Sequence, residues 1–246
     1  MLRAYHTRPI VDKSSDPIRL DSPRERSHTD PLITLHGRKN TNVSQYAVSG
    51  AVCSNEITPR NVMLGSVIAP FPDVQGYEIP AFEADKNYID PATGKLFLDI
   101  PSDETVYAMW IGTNDLGNGA FLTDSQVPGK TIDDYLDCVY SAFDRIYQTG
   151  ARYFVLMNVI PLNLTPLYGL PGRGGLGASN FWPTKPENIT EISYRMQNQV
   201  LLVDEVFKYR TPYAVELAHR YPGASFAIFD VWSLVCPPEK LIISTS

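Results

Sequence analysis

The chain has 246 residues, of which 43% are hydrophobic and 20% are charged, and its formal net charge is −6. This length supports one globular domain with a sizeable core and is short for two full domains. The acidic charge and the scattered Lys and Arg residues argue against a nucleic-acid partner, and no apolar run approaches the roughly 18 residues of a membrane span.

The N-terminal region differs in composition from the rest of the chain. Residues 1–30 carry charges of both signs and show almost no apolar periodicity, which predicts a disordered charged tail. They also lack the apolar centre of a signal peptide. Globular character begins near residue 31, so we predict a single domain over residues 31–246.

Two apolar segments precede loops of small and polar residues. Residues 46–52 form a short apolar run that ends in small residues, as where a strand meets a loop. Residues 59–101 predict irregular structure with one short helix. Residues 105–111 are almost continuously apolar and are followed by a Gly-rich turn. That pattern predicts a strand buried on both faces of a parallel sheet.

The following segments alternate between helix and strand patterns. Thr131 is a suitable N-cap for an amphipathic helix that ends at Gly150, and residues 153–160 repeat the buried-strand pattern. The order strand, helix, strand predicts a right-handed parallel crossover and an α/β fold. A long helix is predicted over about 187–210, with Pro212 beginning a further helical turn.

The last predicted strand covers residues 225–231. Only residues 232–246 follow it, with no helix to cover that edge of the sheet. Together with the structureless start of the chain, this predicts a domain that is truncated at both ends.

Cys53, Cys138 and Cys236 cannot all pair with one another, and none lies in a Cys-x-x-Cys or Cys-His cluster with metal spacing. We therefore predict no metal site. One or more of the cysteines is either a buried apolar residue or a residue whose partner has been lost.

Glycosylation sequons begin at Asn42, Asn163 and Asn188. Sequons are used only in a secretory lumen, although they also arise by chance. They favour a secreted protein.

Gly50 and Asn114 both follow predicted strands, and ligands of open parallel sheets bind beyond the C-terminal ends of the strands. Gly50 lets a ligand approach its backbone N–H closely, and Asn114 offers a side-chain amide donor. Two such donors about 3 Å from a developing negative oxygen form an oxyanion hole. The alternative is that residues 112–117 form only a tight turn, since Asn, Asp and Gly all favour turns.

Residues 46–55 (YAVSGAVCSN) and 110–117 (WIGTNDLG) are more specific in combination. They resemble the SGNH, or GDSL-like, hydrolases, especially fungal acetylesterases of carbohydrate esterase family sixteen, and the resemblance extends from about residue 45 to 231. It implies a three-layer α/β/α domain with a flavodoxin-like parallel sheet and no metal or cofactor. It also implies that Gly50 and Asn114 are oxyanion donors in a secreted enzyme.

The nucleophile and the base are unknown from the sequence. In the family, a Gly-Asp-Ser motif near the first strand carries the nucleophile and a late Asp-x-x-His motif supplies the base, and this chain contains neither. Ser22, which follows Asp21 in the charged tail, is the nearest remnant of the nucleophile motif. Ser49 is a second candidate, but its context is not the Gly-x-Ser-x-Gly elbow.

Three further polar residues have simpler roles than catalysis. His219 ends a helix, where a cation interacts favourably with the helix dipole. Asp115 is expected to organise its loop by accepting backbone N–H groups. Asp230 closes a strand and has no histidine three residues later.

The leading hypothesis is a carboxylic ester hydrolase that acts on acetylated carbohydrates by serine acyl transfer, represented here by a catalytically incomplete chain. The alternative is a non-catalytic carbohydrate-binding protein that keeps the esterase pocket, with Tyr168, Phe181 and Trp182 stacking on sugar rings. A third hypothesis is a different α/β enzyme in which Ser49 or His219 acts. The oligomeric state does not follow from the sequence.

Overall fold

A computed structural model describes residues 2–8 and 40–236 of the protein. The strands are β1 (Leu2–Arg8), β2 (Asn40–Gln45), β3 (Asn61–Leu64), β4 (Val67–Pro70), β5 (Thr105–Trp110), β6 (Tyr153–Met157) and β7 (Ser225–Phe229). Within the described residues the main sheet has the spatial order β2-β1-β5-β6-β7, and β3 pairs with β4 in a separate hairpin.

Strands β5, β6 and β7 are parallel, as the three apolar runs predict. Tyr107 is in register with Phe154, which pairs with Phe226. Side chains alternate across a sheet, so these rings share one face, and the ring centroids of Phe154 and Phe226 are 4.5 Å apart. The predicted α/β class with parallel strands is confirmed.

Strand β1 is the main departure from the sequence-based prediction. It pairs antiparallel with both β2 and β5, so the predicted disordered tail is wrong for Leu2–Arg8. Backbone pairing on both sides orders this strand without an apolar pattern of its own. Residues 9–39, which include the rest of the predicted tail, lie outside the described residues. Leu2 pairs with Met109, so β1 begins at the edge where β5 ends.

The helices are α1 (Ile79–Asn87), α2 (Ile132–Gln148), α3 (Ile189–Pro212) and α4 (Val231–Val235). Helix α2 begins as predicted, after Thr131. Thr131 and Asp134 form a capping box, in which the backbone N–H of Thr131 donates to Asp134 Oδ2 at 2.8 Å. Helix α3 closes at Pro212, immediately before a wider helical turn over Tyr213–Leu217. None of the described helices is both long and apolar enough to span a membrane.

Aromatic side chains join the helices to the sheet. Phe82 of α1 packs edge-on against Tyr107, and Phe143 of α2 packs edge-on against Phe154, with 5.6 Å between ring centroids in both pairs. Phe207 of α3 packs against α2. Helices α1, α2 and α3 therefore cover the same face of the sheet, and their packing fixes the loops that follow β5 and β6.

The segment 59–101 contains the predicted short helix, α1, and a hairpin that was not predicted. The hairpin turns at Gly65, whose φ of +64° belongs to the left-handed region that glycine favours. Two-residue turns of this kind connect adjacent strands. The sequence signal was missed because strands β3 and β4 are short and carry little polar alternation.

Cys53 and Cys138 form a disulfide. It joins the loop after β2 to helix α2. The sequence left open whether these cysteines are buried apolar residues or have lost a partner, and the structure pairs them with each other. Cys236 is a half-buried free thiol.

Candidate active site

The two resemblance motifs meet at one edge of the sheet. The loop after β2 and the loop after β5 border a cavity of about 200 Å³ at the end where the parallel strands finish. Both predicted oxyanion donors are on its wall. The cavity is lined by Val48, Ser49, Gly50, Ala51, Trp110, Ile111, Gly112, Thr113, Asn114 and Ile160.

Gly50 occupies a backbone position that suits glycine. Its φ is +96°, and a Cβ there would lie 3.3 Å from the ring of Phe71. The flanking backbone is tied down, since Ala51 N donates to Val48 O and Val48 N donates to Glu78 Oε1 at 2.9 Å. In the described part of the chain, no acceptor takes the N–H of Gly50, which leaves that group available to a ligand.

The Asn114 side chain is held from two sides. Its Nδ2 donates to Ala51 O at 3.0 Å, and its Oδ1 accepts from Arg60 Nη1 at 2.6 Å. An amide nitrogen carries two N–H groups, so the second N–H of Asn114 is free of partners among the described residues. Asn114, which lines the cavity, therefore keeps one side-chain N–H that no described residue accepts.

Asp115 fastens the two loops to each other. Its Oδ1 accepts from Cys53 N at 2.8 Å and from Thr58 Oγ1 at 3.1 Å. The carboxyl group is fully buried, and this burial raises its pKa to about 6. Asp115 was predicted to organise its own loop by accepting backbone N–H groups; it accepts one backbone N–H, from Cys53 of the loop after β2, and so joins the two loops to each other.

Gly112 has a structural role that the sequence reading missed. Its φ is +122°, and a Cβ there would lie 2.5 Å from Tyr135 Oη. Tyr135 in turn donates to Ile111 O at 3.1 Å. The sequence signal for this role was a glycine placed just before Asn114. Only glycine permits this backbone conformation next to the tyrosine.

The sequence candidates for a nucleophile or base do not gather at the cavity. Ser22 lies outside the described residues. Ser49 is exposed on the cavity rim. His219 is exposed, has a φ of +48° and precedes β7, at the opposite end of the parallel strands. Among the residues that line the cavity in the described part of the chain there is no histidine.

Asp230 lies in a second cavity of about 350 Å³ beside α3 and β7. It caps α4 by accepting from Ser233 N and also accepts from Asn158 Nδ2 at 2.9 Å. These hydrogen bonds lower its pKa. Its neighbour Asp204 has its pKa raised to about 7, chiefly by burial. Asp230 is thus a helix cap rather than a partner of any described histidine.

Two of the three aromatic residues expected to stack on sugars are buried. Tyr168 is 7% exposed and Trp182 is 2% exposed, and their rings pack edge-on against each other at 6.1 Å. The hydroxyl of Tyr168 accepts from Asn118 N at 3.1 Å. Phe181 alone of the three is on the surface, with 86% of its area exposed.

Arg60 is the polar residue of the site that the sequence reading did not single out. It lies outside both motifs, directly before β3. Its guanidinium donates to Asn114 Oδ1. The sequence offers one indication of this contact, which is that a cationic residue lies near the first motif.

Comparison with known proteins identifies the family of the chain. A family model described as GDSL-like lipase/acylhydrolase matches residues 12–235. The chain is also 37% identical over 191 residues to an acetylesterase from Hypocrea jecorina, an alignment that covers 77% of this chain and 53% of that protein. The chain therefore spans about half the length of this curated relative.

Proposed function

Because the chain belongs to the GDSL-like lipase and acylhydrolase family, we propose that it is a carboxylic ester hydrolase that acts on acetylated carbohydrates by serine acyl transfer. One observation carries the proposal: Gly50 and Asn114, each with an N–H group that no described residue accepts, both line one small cavity at the C-terminal edge of the parallel strands. The similarity to a protein named acetylesterase supports the substrate class.

The two donors act on the carbonyl oxygen of the ester. When a serine oxygen attacks the carbonyl carbon, the carbonyl oxygen gains negative charge, and N–H groups already aimed at it stabilise that charge without reorganisation. Gly50 and Asn114 supply two such groups, and the nucleophile's own backbone N–H is the third that the family resemblance implies. Loss of one donor typically costs about 10²–10³-fold in rate.

The shape of the cavity supports a short acyl group. Its volume is about 200 Å³, and Ile111, Ile160 and Trp110 give it apolar walls. Apolar walls with a few placed donors are typical of small-molecule sites. An acetyl group fits such a space, with the sugar held outside the rim.

The proposal assigns no nucleophile or base among the described residues. Ser22 is the candidate for the nucleophile, so the proposed activity of this chain depends on a residue that lies outside the described part of the chain. We also propose secretion, which is supported by the sequons and by the disulfide between Cys53 and Cys138, since disulfides persist in oxidising compartments.

Hydrolysis of 4-nitrophenyl acetate tests the proposal. Asn114→Ala and Ser22→Ala are compared with wild type, Asn118→Ala is the matched control, and a serine-reactive phosphonate labels any active serine. A loss of about 10²–10³-fold in Asn114→Ala with no loss in the control supports the oxyanion role. No turnover and no label from a folded wild-type sample would contradict catalysis by this chain.

The second candidate is a non-catalytic carbohydrate-binding protein with the same pocket. The exposed ring of Phe181 favours it, because a solvent-facing aromatic ring provides a flat apolar surface for a sugar. Calorimetric titration with an acetylated xylo-oligosaccharide tests this function. Binding without turnover that is lost in Phe181→Ala supports it, and heat that is unchanged in Phe181→Ala contradicts it.

A further inference from the structure

Arg60 joins the first site loop to the hairpin of β3 and β4. Its backbone N–H donates to Asn55 Oδ1 at 2.8 Å, and its carbonyl oxygen accepts from Phe71 N at 2.8 Å. Asn55 Nδ2 also donates to Phe71 O at 2.6 Å. The backbone of Arg60 is therefore fixed at the base of the hairpin, and its side chain starts from a defined position.

The guanidinium of Arg60 is directed at a neutral amide. Its Nη1 lies 2.6 Å from Asn114 Oδ1, and its Cζ lies 5.9 Å from the ring centroid of Phe71. In the described part of the chain, no carboxylate forms an ion pair with Arg60, whereas Arg145 and Arg220 are paired with Glu83 and Asp144. No described carboxylate therefore neutralises the positive charge of this half-buried side chain.

This contact determines which way the Asn114 amide faces. With Oδ1 on the guanidinium and Nδ2 on Ala51 O, both ends of the amide are matched. A flipped amide would place its NH2 group against the guanidinium and its oxygen against the carbonyl oxygen of Ala51. Both contacts would be repulsive, so the second Nδ2–H has one orientation. A hydrogen bond from an ionised donor is also stronger than a neutral one and polarises the amide that accepts it.

We propose that Arg60 is a positioning residue that fixes the Asn114 amide toward the cavity and adds positive charge beside the anion that binds there. This inference rests on the proposed function, because Asn114 is an oxyanion donor only in an ester hydrolase. The anions concerned are the tetrahedral intermediate and the carboxylate product, both of which place negative oxygen against the same donors.

The kinetic test compares Arg60→Met and Arg60→Lys with wild type on 4-nitrophenyl acetate. Arg60→Met lowers kcat about 10- to 100-fold with KM nearly unchanged, because the interaction matters most when the oxyanion has formed. Arg60→Lys recovers part of the loss, since a lysine restores charge without the planar fork. Arg220→Met, at the far end of the sheet, is the matched control and keeps the wild-type kcat.

A second readout decides the inference if the wild-type chain has no esterase activity. The side-chain amide signals of Asn114 are assigned in ¹H–¹⁵N spectra by their loss in Asn114→Ala, and acetate is titrated as the probe. In Arg60→Met the two amide protons move toward the chemical shifts of a solvent-exposed asparagine and exchange faster with water, while Arg220→Met leaves them unchanged.

The outcomes separate the two proposals. Wild-type inactivity together with altered Asn114 signals in Arg60→Met contradicts the proposed function of this chain and supports the positioning role. Unchanged Asn114 signals and an unchanged acetate affinity in Arg60→Met overturn the positioning role, whatever the activity of wild type. An equal loss of kcat in Arg220→Met overturns it as well, because the effect would then be general.

Discussion

Asp115 illustrates how a single residue can favour the site and oppose stability. Its Oδ1 holds Cys53 and Thr58, while its Oδ2 is buried with no hydrogen-bond partner among the described residues. Burying a carboxylate without full hydrogen bonding disfavours its ionised form. The loops are joined by this group at neutral pH at the expense of an unfavourable buried charge.

Because of Asp115, we expect the free energy of unfolding to decrease as the pH rises from about 4 to about 6. Its pKa is raised from 3.8 to about 6 in the folded protein, so the unfolded chain loses its proton first as pH rises. Above pH 6, ionisation of Asp115 therefore lowers the free energy of unfolding by about 3 kcal/mol relative to its value at low pH. Asp115→Asn removes this effect and keeps Oδ1 as an acceptor.

Urea denaturation at several pH values measures this difference. The free energy of unfolding of Asp115→Asn relative to wild type should rise as pH increases from 4 to 6. Asp90→Asn is the control, because hydrogen bonds from Ala92 and Thr93 lower the pKa of Asp90 from 3.8, so the pH dependence that this substitution removes lies mainly below the pH range of the measurement. A difference between Asp115→Asn and wild type that does not change with pH would contradict the prediction.

The sequons differ in their ability to carry a glycan on the folded protein. Asn188 is exposed, and its Oδ1 caps α3. Asn163 is 7% exposed. On secretion from a eukaryotic host, we expect a glycan on Asn188 and none on Asn163. Glycopeptide mass spectrometry checks this, with the mass shift lost in Asn188→Gln and kept in Asn163→Gln. A glycan on Asn163 of folded protein would disprove it.

Gly50 and Asn114 could be proposed from the sequence because their types and their places after strands carry a chemical meaning, and both residues line one cavity. Arg60 was not, since a cation in a loop has no pattern that points to an amide 54 positions away. Tyr168 and Trp182 were misassigned for a related reason. Aromatic residues in a Pro- and Gly-rich loop suggest a surface, and only tertiary packing shows that two of them are buried.

At the scale of elements, the loop that contains Gly50 is fastened by covalent and hydrogen bonds rather than by regular structure. The disulfide between Cys53 and Cys138 closes a separation of 85 residues, and Asp115 binds the same cysteine through its backbone. Helix α2 therefore serves as the rigid support against which the loop that contains Gly50 is held.

Loss of this disulfide should destabilise the protein substantially. Cys138→Ser is expected to lower the free energy of unfolding by about 2–5 kcal/mol, because the cross-link no longer restricts the unfolded chain. Urea denaturation under oxidising conditions measures the change. Cys236→Ser is the control, since that thiol is unpaired and only half-buried. Equal midpoints for Cys138→Ser and wild type would refute the expectation.

Elements with strong periodicity were predicted well, and those ordered by pairing alone were not. Helix α2 and strands β5 and β6 follow from apolar spacing and capping residues, which are local signals. Strand β1 follows from hydrogen bonds to strands that are distant in sequence. No local rule identifies such a strand, because its own residues show no apolar alternation.

At the scale of the whole molecule, the tip of the hairpin of β3 and β4 is an exposed apolar surface within the described part of the chain. Met63, Leu64, Val67 and Ile68 are each 61–71% exposed. Met63 pairs with Ile68 and Leu64 with Val67, and successive pairs point to opposite faces. The tip is therefore apolar on both sides, in a protein whose net charge of −6 otherwise favours solubility.

We expect this tip to promote self-association at high protein concentration. The pair of substitutions Met63→Lys and Ile68→Glu should reduce association while changing the free energy of unfolding by no more than about 0.5 kcal/mol, since neither side chain packs in the core. Light scattering across a concentration series measures the first effect and urea denaturation the second. Leu164→Lys, at an isolated exposed position, is the control. If wild type, the double variant and Leu164→Lys scatter light equally, the hairpin tip does not promote self-association.

The direction of strand β1 has a practical consequence for anyone who produces this protein. Because Leu2 pairs with Met109, a peptide fused ahead of Leu2 emerges beside the loop that carries Asn114, within reach of the cavity. An affinity tag placed there begins beside that loop, so we expect it to lower activity in any assay of the cavity. The choice of which end to tag is therefore part of any activity assay, and tag removal belongs among its controls.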